Sequence, residues 1–246
     1  MPPVGTYRIF DSRSDVGSVV SWPDSHSDVG VVYDPEVVST TWVRGDRVYL
    51  AAKRTLDVVL TLIGLILLSP LLLAVALAIK LQDGGPVFFS QIRVGKGGRE
   101  FKFWKFRSMC IDAESKKAKL IEQSDPELVR FKMERDPRIT AVGRFIRRTS
   151  IDELPQLWNV LNGDMSIVGP RPPVPAEVSR YTRHQRKRLD MQQGLTCLWQ
   201  VEGRSLIPFE QQVEMDLQYG RERNLLLDFS LIARTIPAIL SGRGAF

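Results

Sequence analysis

The longest apolar run in the chain covers residues 58–79, 22 positions without a charge. A straight helix of that length reaches about 33 Å, enough to cross the hydrocarbon of a bilayer. Ser69-Pro70 falls at its midpoint. Pro70 cannot donate to the Ile66 carbonyl and its ring crowds that carbonyl, which predicts a kink. The Ser69 hydroxyl is placed to bond the carbonyl of Leu65 or Ile66 instead, which makes the break tolerable in lipid. Arg44, Arg47, Lys53 and Arg54 precede the run, and Lys80, Arg93 and Lys96 follow it. Basic residues on both flanks leave the positive-inside rule nothing to orient. A helix–break–helix hairpin that enters and leaves by one face removes the conflict; a kinked spanning helix is the alternative.

Asp83-Gly84-Gly85-Pro86 then breaks the helical pattern. Residues 87–106 read as a β-hairpin around the Gly95-Lys96-Gly97-Gly98 turn, with Phe101 and Phe103 alternating against Lys102 and Trp104. Polar residues 112–132 predict a helix, residues 142–148 a short basic one. Leu154, Leu157, Trp158 and Leu161 form the stripe of a helix that ends at Asn162-Gly163. Further helices are expected over 176–190 and 208–223. An amphipathic segment over 225–240 carries Leu226, Phe229, Ile232, Ile236 and Ile239, fit for the core or for a lipid interface. Residues 1–43 have no clear period. The expected fold is α+β and mostly helical, with an N-terminal extension (1–45) and a re-entrant membrane helix hairpin (46–82). The remaining residues, 83–246, form a cytosolic domain with a small β-hairpin or sheet and amphipathic interfacial helices.

Charge and composition fit a protein that is half in water and half on an anionic lipid surface. The net charge is +6, the pI about 9.5, and the mean hydropathy −0.10 although 25% of residues are charged. The basic cluster Arg180, Arg183, Arg186, Lys187 and Arg188 has no helix-turn-helix, zinc-finger or RNP signature beside it, so no nucleic-acid partner is expected. Two cysteines, Cys110 and Cys197, give neither a disulfide framework nor a metal spacing. His26 and His184 alone argue against a zinc site or a Ser-His-Asp triad. The apolar run lies too far into the chain to be a secretory signal.

The chemistry concentrates in the stretch from Arg147 to Trp158. Ser150 and Glu153 have the S-x-x-E spacing of a capping box, which places Asp152 in the first turn of a helix. Free N–H groups and the helix dipole favour anions there. Two adjacent carboxylates beside Arg147 and Arg148 suit metal-assisted phosphoryl chemistry, although a plain cap uses the same residues. In Gly169-Pro170-Arg171-Pro172-Pro173 the prolines restrict the backbone on both sides of Arg171, which suits a guanidinium held for phosphate.

Several motifs recur together, in this order, in one family. They are Lys53-Arg54-Thr55-Leu56-Asp57, the Ser69-Pro70 break, Lys105-Phe106-Arg107-Ser108-Met109, and Thr149-Ser150-Ile151-Asp152-Glu153-Leu154-Pro155-Gln156-Leu157. Gly163-Asp164-Met165-Ser166-Ile167-Val168-Gly169-Pro170-Arg171-Pro172 and Ser241-Gly242-Arg243-Gly244-Ala245-Phe246 complete the set. Over residues 48–246 the chain resembles the bacterial sugar transferases, monotopic polyprenyl-phosphate hexose-1-phosphate transferases, in their short form. The resemblance implies transfer of a sugar 1-phosphate from a UDP-sugar to undecaprenyl phosphate, with release of UMP and use of Mg2+. It further implies that Asp152 is the nucleophile and forms a phosphosugar–aspartyl intermediate. Glu153 would be its partner in the dyad, and the two would hold the metal. Arg147, Arg171, Lys105 and Arg107 would bind substrate, with Ser69 and Pro70 as the membrane break. The implied setting is the cytoplasmic face of the bacterial inner membrane, in exopolysaccharide or O-antigen initiation with downstream glycosyltransferases as partners. The sugar is left open, with a lean to glucose or galactose, as is a homodimer. The family commonly has Pro-Gly-Leu/Ile-Thr-Gly where this chain has Gln193-Gly194-Leu195-Thr196-Cys197, and Tyr where it has Phe246. A catalytically silent membrane scaffold is the competing expectation.

Overall fold

The computed structural model describes residues 43, 47–113, 115 and 136–241. The expectations for residues 1–42, for nearly all of the helix over 112–132 and for the Gly242–Phe246 end of the last motif lie outside the described residues. The fold is mostly helical, with one long apolar helix and two small two-stranded sheets.

Helix α1 (Arg47–Asp83, 37 residues) carries Pro70 inside it. The Ser69 hydroxyl donates to the Ile66 carbonyl at 2.8 Å, filling the bond that Pro70 cannot make. Among the described residues α1 is the one helix long and apolar enough to cross a membrane, and only 11% of its most apolar 18-residue window is buried. A core helix would be covered; here Leu62, Ile63, Ile66, Leu67 and Leu73 stay exposed, which makes membrane attachment the natural reading.

Both flanks of that exposed stretch dock on the same folded body. Near its start, Lys53 Nζ lies 3.0 Å from Asp228 Oδ2. Arg54 donates to the Val160 and Leu161 carbonyls at 2.5 and 2.7 Å, and the Ile167 N–H donates to Asp57 Oδ1 at 3.0 Å. Near its end, Val75 and Ile79 join Phe106 and Ile146 in a buried cluster, with Val87, Val142 and Ile151 packed against it. Asp83 pairs with Arg107, and Gln82 Oε1 accepts from the Val142 N–H at 3.3 Å.

The hairpin forms as the alternation predicts. Strands β1 (Phe88–Val94) and β2 (Glu100–Phe106) pair antiparallel, Phe88 opposite Phe106 and Val94 opposite Glu100. Helix α2 (Ala141–Arg148) starts at Thr140, whose hydroxyl accepts from the Gly143 N–H at 2.9 Å. Gly143 is required by contact: a Cβ there would stand 1.9 Å from the Ser108 carbonyl oxygen. Helix α3 (Gln156–Asn162) ends at Gly163, left-handed at φ 85°. A short parallel pair follows, β3 (Ser166–Val168) with β4 (Gly194–Thr196).

The helix expected over 176–190 is instead three pieces: α4 (Pro175–Val178), α5 (Arg183–Arg186) and a 3-10 turn (Lys187–Asp190). Thr182 caps α5 with a reciprocal Thr182–Gln185 box, and a new N-terminus there interrupts the longer helix. Helix α6 (Leu198–Glu202) leads to α7 (Phe209–Glu222) and α8 (Leu225–Ser241), close to the expected bounds. Leu231 of α8 is buried with Val168, Met191, Leu198 and Tyr219, whereas Leu226, Phe229 and Ile236 remain exposed. The last helix thus packs on the core by one face and keeps an apolar outer face.

Candidate active site

The end of β2, the α2–α3 connection and the loop after β3 surround a cavity of about 920 Å³. Asp152 and Glu153 lie in a 3-10 turn (Ile151–Glu153) ahead of α3. The expected capping box is absent. Ser150 adopts the left-handed region (φ 56°) and its side chain caps nothing. Glu153 is drawn instead into two ion pairs, with Lys105 Nζ at 2.7 Å and Arg171 Nη2 at 3.3 Å from its Oε1. A carboxylate with two cations gains more there than from one backbone N–H. A left-handed non-glycine residue is strain of a kind that clusters at functional sites.

Lys105 also reaches Asp152, at 3.7 Å from Oδ2. The two carboxylates are driven apart in acidity. Burial raises Asp152 above its ordinary value, with Lys105 opposing and Glu153 adding to the rise. Burial also pushes Glu153 up, but Lys105 and Arg171 outweigh it and hold Glu153 well below the carboxylate range. Neighbouring titratable groups separated in this way take different roles.

The supports of these side chains come from distant segments. Asn159 of α3 clamps β2, accepting from the Trp104 N–H at 3.2 Å and donating to the Lys102 carbonyl at 2.7 Å. The Arg171 loop hangs between β3 and β4: the Gly169 N–H donates to the Thr196 carbonyl at 2.9 Å, and the Gly194 N–H to the Pro170 carbonyl at 2.8 Å. A Cβ on Gly194 would fall 2.1 Å from the Gly169 nitrogen, so this crossing admits no side chain. Gln200, its amide oriented to satisfy both ends, accepts from Arg171 Nη1 at 3.3 Å and donates to the Leu195 carbonyl at 3.3 Å.

All six residues expected at the site line the cavity, although they engage differently. Asp152, Glu153, Lys105 and Arg171 converge in one cluster. Arg147 stands beside it and donates from Nε to Ser108 Oγ at 2.9 Å. Arg107 turns toward α1, where Asp83 takes its Nη2, while Nε and Nη1 have no hydrogen-bond partner among the described residues. Ser69 and Pro70 lie elsewhere, in the middle of α1. Arg93 was not foreseen. It donates to the Pro172 carbonyl at 3.0 Å, and burial together with the neighbouring Arg171 pulls it down to about 10. Its position opposite Phe101 in the hairpin is readable from sequence, its proximity to Arg171 is not.

Seven basic side chains face three acidic ones on the cavity wall, so the space favours an anion carrying several charges. Among the described residues no group of three His, Cys, Asp or Glu converges on one point. A cage built wholly of protein ligands is therefore not on offer there. Asp152 and Glu153 are the carboxylates on this wall that would hold a magnesium ion, which would supply charge neutralisation there.

The two departures at the 193–197 turn have local partners. Gln193 is fully buried and donates to the Arg188 and Met191 carbonyls, both at 3.0 Å. Cys197 is buried, its sulfur 3.2 Å from the Gln200 side-chain amide.

Residues 48–242 match the family model described as bacterial sugar transferase. The chain is 46% identical over 198 residues to galactosyl transferase CpsE of Streptococcus agalactiae, covering 80% of this chain and 44% of that one. It is 41% identical over 192 residues to the UDP-glucose:undecaprenyl-phosphate glucose-1-phosphate transferase of Escherichia coli, covering 75% and 39%. It is 38% identical over 199 residues to the exopolysaccharide production protein ExoY of Sinorhizobium fredii, covering 79% and 88%. The chain thus spans less than half the length of the first two relatives and most of the third. With most of its length inside the family model, this chain belongs to the bacterial sugar transferase family.

Proposed function

We propose that the chain transfers a hexose 1-phosphate from a UDP-sugar to undecaprenyl phosphate, with Asp152 as a covalent nucleophile. The observation that carries this reading is the Asp152–Glu153 pair, divergent in acidity, among Lys105, Arg171 and Arg93 on the wall of one cavity of about 920 Å³. Relatives named for galactosyl transfer and for glucose 1-phosphate transfer to undecaprenyl phosphate support the reaction class. They also favour UDP-galactose or UDP-glucose as donor.

In the first step an Asp152 oxygen attacks the phosphorus that bears the sugar. The bond from that phosphorus to the bridging oxygen breaks, and UMP leaves with the electron pair. In the second step an oxygen of the lipid phosphate attacks the same phosphorus and the Asp152 carboxylate departs, giving the lipid diphosphate sugar. Burial makes Asp152 a more basic carboxylate and hence a better nucleophile, while Lys105 keeps its ionised form available. Lys105, Arg171 and Arg93 neutralise the diphosphate, and Glu153 holds the first two of these cations in place. Magnesium, when bound by Asp152 and Glu153, supplies further neutralisation at the phosphate oxygens.

The same reading includes re-entry of α1 from one membrane face. Docking of Lys53, Arg54 and Asp57 on the body that also receives Val75, Ile79 and Asp83 supports it, because a crossing helix would carry its ends to opposite faces. The site then sits at headgroup depth on the cytoplasmic side of the inner membrane, where the lipid phosphate is. Intact-protein mass spectrometry after incubation with UDP-sugar and no acceptor tests the covalent step. A hexose-phosphate adduct on wild type, absent from Asp152→Asn, is expected; wild type that turns over fully yet never carries an adduct contradicts it.

A further inference from the structure

We propose that the edge of the cavity beside α1 takes the lipid acceptor: Arg107 receives its phosphate, and Phe89 and Ile111 carry the first units of its prenyl chain. The inference rests on the phosphotransfer reading above and gives the acceptor its own place within that site.

Strand β1 runs along the cavity and joins two unlike ends. By strand alternation Phe89, Gln91 and Arg93 share one face, and all three line the cavity. Four residues of strand put Phe89 and Arg93 about 13 Å apart. Arg93 belongs to the charged end, donating to the Pro172 carbonyl beside Arg171 at 3.0 Å. Phe89 stands opposite Lys105 in the hairpin register, and Lys105 reaches both carboxylates.

The Phe89 end is open, apolar and joined to α1. Phe89 is 49% exposed and Ile111 63%, both on the cavity wall. Phe88 stacks on Phe106 with ring centroids 5.4 Å apart, and Phe106 packs with Val75 and Ile79 of α1. The edge therefore continues the apolar surface of the outgoing half of α1, where Leu77 and Leu81 are also exposed. Large apolar side chains left open at the mouth of a charged cavity mark a place for a ligand with an apolar tail. A UDP-sugar has no such part, whereas a prenyl phosphate does.

Arg107 supplies the charge at this end. It is 8% exposed and lines the cavity. Asp83 takes its Nη2, but Nε and Nη1 have no hydrogen-bond partner among the described residues. Folded proteins pair nearly all such buried donors, so an exception calls for a cause. A phosphate monoester, with several strong acceptor oxygens, answers it. The guanidinium is also held in place, since a Cβ on Gly85 would collide with it. From Arg107 the wall leads to the nucleophile. Ser108, next in the chain, accepts from Arg147 Nε at 2.9 Å, and Arg147 is among the cations that oppose the effect of burial on Asp152.

The test is the KM for undecaprenyl phosphate in detergent micelles, set beside the KM for UDP-glucose or UDP-galactose. Phe89→Ser and Ile111→Ser, both at exposed positions, are expected to raise the acceptor KM about tenfold and to keep the donor KM within about twofold. Arg107→Gln is expected to raise the acceptor KM by about tenfold or more. Because Arg107 also fastens Asp83, Asp83→Asn separates the two roles: it weakens the same ion pair and is expected to raise the acceptor KM less than about threefold. Melting curves establish that the variants are folded. An Asp83→Asn defect equal to that of Arg107→Gln overturns the proposal by making Arg107 a structural tie. Donor and acceptor KM values that rise together in Phe89→Ser and Ile111→Ser, or an acceptor KM that does not move, overturn it by making the edge a mere seat in lipid. Exchange of labelled UMP into the UDP-sugar by wild type needs no acceptor and keeps the two readings apart. Its presence beside either failure leaves phosphotransfer intact; its absence removes phosphotransfer and the acceptor edge with it.

Discussion

Breaking the Lys53–Asp228 pair is the sharpest test of how α1 is fastened. Asp228 is 1% exposed and receives Lys53 Nζ at 3.0 Å, the Tyr49 hydroxyl at 3.0 Å and the Tyr219 hydroxyl at 2.6 Å. Asp228→Ala leaves the Lys53 ammonium, itself 7% exposed, without its directly bonded counter-ion and with Asp57, one turn along α1, as the neighbouring negative group. Removing one partner of a buried pair costs about 3–5 kcal/mol, most of it the uncompensated charge. For a domain of this size that amounts to a fall in melting temperature of roughly 6–20 °C. The double change Lys53→Met, Asp228→Leu removes both charges and is expected to recover at least half of the loss, since apolar replacement of a whole pair is often neutral. The assay is thermal or urea unfolding in one detergent, followed by tryptophan fluorescence. A loss below about 1 kcal/mol for Asp228→Ala, the range of exposed pairs, refutes the reasoning. So does a double variant as unstable as the single one.

Asp152→Asn is expected to abolish transfer yet raise the melting temperature at pH 7–8. The folded state raises Asp152 above its unfolded value, so its contribution to stability is full below the ordinary carboxylate range and is lost as pH rises through the folded value. The gain from Asn must vanish toward pH 4, and a gain that persists there contradicts the sign. Glu153→Gln should instead cost about 1.5–3 kcal/mol at neutral pH, the range for hydrogen bonds to charged groups. Its depressed value makes the stabilisation present above the ordinary range and lost only as pH falls through the folded value, so the cost should be flat between pH 6 and 8 on chemical denaturation. Gly143→Ala should lose about 1–3 kcal/mol, because its methyl meets the Ser108 backbone, and should lower turnover by shifting Arg147. Gln193→Leu should cost about 1–3 kcal/mol by leaving the Arg188 and Met191 carbonyls unpaired, and a neutral result would mean the turn adjusts.

What the sequence discloses is what its local rules encode. The α1 run, its Ser69–Ile66 repair, the hairpin and the Gly163 stop all follow from patterns within a few residues. The parallel β3–β4 pair does not, because each strand has three residues and the partners are 28 positions apart. The dyad was legible as paired carboxylates, but its environment was misjudged. A capping box was expected at Ser150 and Glu153, and the side chains that overrule it, Lys105 and Arg171, come from 48 positions before and 18 after. Arg93 and Gln200 went unnoticed for the same reason, since an arginine in a strand and a glutamine in a short helix carry no local signal of a cavity. The attachment of α1 rests on contacts across as many as 179 positions, which no periodicity reveals. The Gln193–Cys197 departures also look different once placed, since Gln193 closes two backbone carbonyls and Cys197 packs on the residue that touches Arg171.

The central claim is the reaction, and UMP release tests it most directly. Wild type and Asp152→Asn are compared in nanodiscs with magnesium and undecaprenyl phosphate, across a panel of UDP-sugars. The account predicts UMP release that requires the lipid phosphate for multiple turnovers, is greatest with UDP-galactose or UDP-glucose, and is absent in the variant. Folded wild-type protein that releases no UMP from any donor, or a variant that releases it as fast, would contradict the account.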